Sequence, residues 1–153
     1  LPKPDKNEKR VVLYWAIPSQ EGWVNTHPDF FKSNGYIGRG IGGQTSYQFL
    51  VRFREDVINL SPALVVINAA TNDIAENTGA YHEDRTFGNI VSMVELAKAN
   101  HIKVILTTTL PAAAFGWNPA IKDAPQKIAS LNARLKAMPK QIKFHSSTIT
   151  LLW

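Results

Sequence analysis

Four apolar strand-formers, Leu64-Val65-Val66-Ile67, run straight into the small and polar segment Asn68-Ala69-Ala70-Thr71-Asn72-Asp73. An apolar run without alternation reads as a strand covered on both faces, which parallel sheets provide. A Thr-Asn-Asp turn at the carboxyl end of such a strand stands where open α/β sheets place their ligands. There the Asn72 carboxamide can point an N–H at a developing oxyanion.

Strand-like and helix-like segments alternate along the rest of the chain. Val11 to Trp15 reads as a first strand, 22–32 as a loop with a short helix, and Tyr36 to Arg39 as a short second strand. Helical spacing over 44–59 gives an apolar stripe of Tyr47, Leu50, Val51, Phe53, Val57 and Ile58. The strand at Leu64 to Asn68 is followed by an amphipathic helix over 86–100, with Ile90, Met93, Val94 and Ala97 on one face. Val104 to Thr108 reads as a fourth strand and 110–123 as a loop. Pro125, followed by Ile128, Leu131 and Leu135, opens a last helix. This order implies a parallel sheet with helices on both faces. The expected fold is a three-layer α/β/α, flavodoxin-like sheet of about five parallel strands. At 153 residues the chain is expected to form a single domain over 11–153, behind a polar arm at 1–10.

Composition excludes several chemistries. With no cysteine there is no thiolate nucleophile, disulfide framework or Cys metal site. His27 and His82 fall in loop-like stretches and His101 after a helix, with no pair at metal-ligand spacing, so neither a metal nor another cofactor is expected. Glu83 and Asp84 read as first-turn helix acids. The net charge of +5 is scattered: Lys3, Lys6, Lys9 and Arg10 alternate with Asp5 and Glu8, and Arg52 and Arg54 precede Glu55 and Asp56. These are solvated faces, not a nucleic-acid stripe. No apolar run is long enough to span a bilayer. The polar start, Leu1 to Arg10, points to an exported protein trimmed at its leader.

The Thr71-Asn72-Asp73 turn resembles the Gly-Thr-Asn-Asp block of the SGNH (GDSL-like) ester hydrolases, with Ala70 in place of the glycine. Gly40-Ile41-Gly42-Gly43-Gln44-Thr45-Ser46 resembles the family's Gly-Ile-Ser-Gly-Gln-Thr-Thr. Taken alone, that second segment would be a plain Gly-rich strand-to-helix turn. The resemblance covers roughly 11–137 and implies the same three-layer fold. It implies that Gly43 and Asn72 form an oxyanion hole and that Asp73 fixes the loop by accepting backbone hydrogen bonds. Phe115-Gly116-Trp117-Asn118-Pro119 resembles the family's substrate-side loop, so Phe115 and Trp117 either wall an acyl or sugar pocket or pack on its rim. The implied substrates are acyl esters: carbohydrate acetyl, short-chain or lysophospholipid.

Two blocks depart from the family pattern. Relatives read Met-Gly-Asn-Ser-Ile-Thr before Glu-Gly-Trp, whereas this chain has Trp15-Ala16-Ile17-Pro18-Ser19-Gln20 before Glu21-Gly22-Trp23. The nucleophile position holds Pro18, which has neither hydroxyl nor N–H. Ser19, one residue on, is the remaining candidate nucleophile and reads first as a turn serine. The family's Asp-x-x-His is absent from 138–153. His145, the only late histidine, lies in a strand-like run and reads as structural or exposed. Both departures are expected if a family gene is read one base late: with codons chosen as ATG GGC AAT TCC ATC ACA G, the shifted frame is TGG GCA ATT CCA TCA CAG, which encodes residues 15–20. A second shift would give the aberrant tail 138–153 and a C-terminally truncated fold. Ile142 to Leu152 could still pair as a fifth strand, but without the family's last helix one sheet face would be partly bare and open to self-association. The expected activity is therefore that of an ester-hydrolase scaffold, inactive as written. The rivals are a non-catalytic carbohydrate or ester binder and a fragment that needs a partner.

Overall fold

A computed structural model of the protein describes residues 4–5, 8–15, 18–138 and 149–152, excepting the side chains of 18–21 and 149–152. Its strands are β1 (Val11–Trp15), β2 (Tyr36–Gly38), β3 (Leu64–Asn68), β4 (Lys103–Thr107) and β5 (Ile149–Leu152). They form one sheet in the order β2-β1-β3-β4-β5. The first four are parallel, and Trp15 at the end of β1 pairs with Asn68 at the end of β3. Both residues therefore stand at the carboxyl rim of the sheet. The fifth strand departs from the expected all-parallel sheet: β5 runs antiparallel to β4, Val104 opposite Leu152 and Thr107 opposite Ile149. An edge strand pairs through a single row of N–H and C=O groups, which either direction satisfies, and Ile149-Thr150-Leu151-Leu152 supplies ordinary strand-formers.

The period of two along the strands divides the core between the faces of the sheet. Val12, Tyr14, Val65, Ile67, Val104 and Leu106 point to the larger side. It is covered by α3 (Ser46–Asp56), α5 (Glu83–Ala99) and α6 (Ala124–Ala137). Ile90, Met93, Val94 and Ala97 of α5 and Ile128, Leu131 and Leu135 of α6 are buried there, as their spacing requires. On the opposite face, Leu13 and Val66 meet Phe31 of α2 (Pro28–Ser33) and Val24 of α1 (Pro18–Thr26). Among the described residues this second cluster is the smaller, and Ile105 at its β4 edge is only partly buried.

Two expectations need correction. The 44–59 helix is α3 followed by a 3₁₀ turn at Ile58–Leu60, and its inner face is Ser46, Phe49, Phe53 and then Val57. Val51 is 85% exposed and Tyr47 is 41% exposed. Phe49 and Phe53 are four apart and both reach Tyr14, with ring centroids 4.4 and 5.7 Å away; this aromatic pair, not the Val51 row, sets the rotation of the helix. The second concerns Arg10, which is not a solvated arm cation. It is 5% exposed, pairs with Glu8 at 2.7 Å and donates from Nη1 to the Leu60 carbonyl at 3.2 Å. Hydrogen bonding from Arg10 holds the Glu8 carboxyl below its ordinary range.

Candidate active site

Three loops meet at the carboxyl rim: 39–45 after β2, 69–82 after β3 and 108–123 after β4. Each is fixed by side chains from the others. Asn72 is the second residue of the one-turn helix α4 (Thr71–Ile74) and is 3% exposed. Its Nδ2 donates to the Gln44 carbonyl at 2.9 Å, next to Gly43. A primary amide has two N–H bonds, and committing one fixes the plane of the other. Gly43 has φ 81°, the left-handed region that glycine enters without a Cβ penalty. A Cβ there would have room, the nearest contact being Asn77 Nδ2 at 3.9 Å, so conformation and not space calls for glycine.

Loop 39–45 is also held from outside. Arg52, on α3, donates to the Gln44 side-chain oxygen and to the Arg39 carbonyl while pairing with Asp56. From the other side, Asn77 Nδ2 donates to the Gly43 carbonyl at 3.0 Å. The Asn77 backbone N–H donates to the Asn72 carbonyl at 3.0 Å, and Asn77 Oδ1 accepts the Trp117 indole N–H at 2.9 Å. Sequence reading missed Arg52 and Asn77, and gave Gln44 no role of its own within the Gly-rich segment. Asn77-Thr78-Gly79 carried only a turn signature, and Arg52 read as a scattered surface charge.

Asp73 is 4% exposed. Its carboxylate accepts the Ser46 backbone N–H at 2.8 Å, the Ser46 hydroxyl at 2.5 Å and the Thr86 hydroxyl at 3.2 Å. Asn89 donates in turn to Ser46 Oγ at 3.0 Å. One carboxylate thus ties the starts of α3 and α5 to the turn after β3. Burial raises its pKa above the ordinary carboxylate value, and the Ser46 and Thr86 hydrogen bonds oppose that rise. A crevice of about 430 Å³ lies beside it, lined by Thr45, Gln48, Thr78, Tyr81 and Arg85 among others.

The two aromatics of the 108–123 loop have different places. Phe115 is 2% exposed and belongs to the core. Trp117 is 61% exposed, 5.2 Å from the Phe115 ring, on the rim beside Asn77. Asn118 Nδ2 donates to the Ala75 carbonyl at 2.9 Å and anchors the loop.

Pro18 opens α1, and Ser19 is its second residue. The side chains of both, all of Ala16 and Ile17, and His145 lie outside the described residues. His27, His82 and His101 are exposed. Among the described residues no group of three His, Asp or Glu could hold a metal ion, and no helix is long and apolar enough to cross a membrane.

The described groups are therefore donors and their supports, gathered at the carboxyl end of the four parallel strands. The model of the GDSL-like lipase/acylhydrolase family matches residues 14–146. The chain belongs to that family. A Bacteroides fragilis NCTC 9343 protein assigned as an acylhydrolase is 93% identical, with a TM-score of 0.85 over 90% of this chain and 65% of that one. A GDSL-like lipase from Bacteroides thetaiotaomicron VPI-5482 is 76% identical, with a TM-score of 0.84 over 90% of this chain and 66% of that one. The uncharacterized lipoprotein YqeF of Bacillus subtilis (strain 168) is 32% identical over 102 residues, 64% of this chain and 42% of YqeF. The chain thus spans under two thirds of each relative's length. The acetyl xylan esterase AlAXEase is 21% identical with a TM-score of 0.57, a likeness of fold alone.

Within this GDSL-like fold, Ala70 stands where the family block has glycine. Its φ is 94°, and it caps α4 from the left-handed region. The turn keeps a glycine-type conformation despite the Cβ, which places Asn72 and Asp73 but carries strain.

Proposed function

We propose that this chain is a GDSL-like serine ester hydrolase scaffold that keeps its cradle for a negative oxygen and has lost the group that attacks. The observation that carries this reading is the frame in which Asn72 holds the Gln44 carbonyl at 2.9 Å and Asn77 holds the Gly43 carbonyl at 3.0 Å. In the parent reaction the Gly43 N–H and the Asn72 amide donate to the oxygen that gains charge as an acyl ester is attacked. Asp73 supports the loop, and Trp117 forms the rim against which the substrate lies. The substrates are carbohydrate acetyl esters or short-chain and lysophospholipid esters.

Attack needs a hydroxyl, a histidine to take its proton and a carboxylate to orient that histidine. Pro18 occupies the nucleophile position, and a proline carries no hydroxyl. An oxyanion hole without a nucleophile leaves little turnover. A one-base frame error ending before Glu21 accounts for this loss, and a second accounts for the departure of 138–153 from the family pattern. A relative 93% identical over nine tenths of this chain supports descent from a common acylhydrolase-family gene. An in-frame gene encoding 15–20 and 138–153 by unrelated codons contradicts the frame-error origin.

The lipoprotein relative supports placement outside the cytoplasm. Scattered positive charge supports no nucleic-acid partner, and the partial exposure of Ile105 among the described residues supports self-association through that sheet face. A chromogenic short-chain ester assay run beside thermal-shift titration with acetylated sugars tests the function. Stabilisation without turnover fits a binder built on the old pocket, whereas turnover abolished by Ser19→Ala overturns the loss of attack.

A further inference from the structure

Asn77 contacts three parts of the site at once. Its backbone N–H donates to the Asn72 carbonyl at 3.0 Å, its Nδ2 to the Gly43 carbonyl at 3.0 Å, and its Oδ1 accepts the Trp117 indole N–H at 2.9 Å. Both ends of its carboxamide are thereby committed. Donor and acceptor cannot be exchanged without breaking both side-chain bonds, because Trp117 Nε1 only donates and the Gly43 carbonyl only accepts. Trp117 is 61% exposed, so a molecule resting on the rim meets it first. Gly43, at φ 81°, is in the left-handed region within the glycine-rich opposing loop, and its carbonyl is fixed by Asn77.

We propose that Asn77 is a positioning residue that couples the Trp117 rim to the Gly43 backbone, so that the ordering of one sets the orientation of the other. This rests on the reading of Gly43 and Asn72 as the oxyanion cradle. The coupling path is short and physical: indole N–H to amide oxygen, amide N–H to peptide carbonyl, with the Asn72 carbonyl fixing the Asn77 backbone between them. Trp117→Phe keeps the ring against Phe115 but removes the N–H. Asn77→Asp keeps an acceptor for the indole but removes the donor to Gly43. The two substitutions cut the path on opposite sides of the same side chain.

The test is ¹H–¹⁵N NMR of the full chain and of Asn77→Ala, Asn77→Asp and Trp117→Phe, each titrated with dimethylarsinate, a tetrahedral oxyanion. Coupling predicts that Trp117→Phe, which removes the N–H that Asn77 accepts, moves the Gly43 amide resonance. It predicts that Asn77→Asp moves Gly43 while retaining the Trp117 indole signal, and that either change weakens dimethylarsinate binding about five- to tenfold, the ratio of one lost hydrogen bond. Combining Trp117→Phe with Asn77→Ala adds nothing beyond Asn77→Ala alone. An unmoved Gly43 resonance in Trp117→Phe, with core resonances intact, overturns the coupling. Dimethylarsinate that leaves Gly43 and Asn72 of the unaltered chain unmoved sinks the cradle reading instead, so the two failures are told apart.

Discussion

The Asp73 carboxylate accepts the backbone N–H of Ser46 at 2.8 Å, joining the turn after β3 to the first turn of α3. A negative group at that helix end also meets the favourable pole of the helix dipole. Together with the Ser46 and Thr86 hydroxyls this makes Asp73 the tie among three segments of the site.

The tie makes stability depend on pH with a definite sign. Burial raises the folded-state pKa of Asp73 above its ordinary value of 3.8, so the folded chain holds this proton more tightly than the unfolded one. The stabilising contribution is complete below that ordinary value and is lost as pH rises through the folded value. Urea midpoints measured across this range fall with pH at the Asp73 step, and Asp73→Asn removes that step. Asn also sets an N–H against the Ser46 donor, at a cost of about 1–3 kcal/mol.

Ala70→Gly stabilises the protein. Ala70 sits at φ 94°, where a Cβ costs roughly 1–2 kcal/mol and glycine costs little. The greater freedom of glycine in the unfolded chain offsets about 0.4–1 kcal/mol. The expected gain is about 0.5–1 kcal/mol in chemical denaturation. A loss on Ala70→Gly contradicts the strained turn.

The rotation of α3 is testable by contrast. Val51→Lys changes stability by no more than about 0.5 kcal/mol, because Val51 is 85% exposed. Phe53→Ala, at a fully buried site beside Tyr14, costs about 3–5 kcal/mol. Equal costs at the two positions contradict the observed inner face.

Much of this was legible in the residues. The four parallel strands and the inner faces of α5 and α6 follow from apolar runs and spacing, because there local pattern and tertiary burial demand the same thing. The stripe on α3 misled because Val51 and Tyr47 are apolar yet face solvent, and a single helix cannot say which of two candidate rows meets the sheet. The Thr71-Asn72-Asp73 turn and Gly43 were visible as motifs, and the structure brings their loops together through Gln44. Asn77 and Arg52 were not visible. Their part lies in hydrogen bonds to backbone carbonyls of distant loops, which leave no trace in composition or period. Nor does an edge strand's sequence record the direction in which it pairs, as β5 demonstrates.

The central claim is that the cradle persists while the attacking group is gone. Fluorophosphonates bond only to a serine activated as a nucleophile, so incubation of the full chain with one, followed by intact-mass and peptide analysis, asks the question at the reacting atom. An unchanged mass is the predicted result. A stoichiometric adduct mapped to Ser19 would show that an activated serine survives beside Pro18, and would contradict the account.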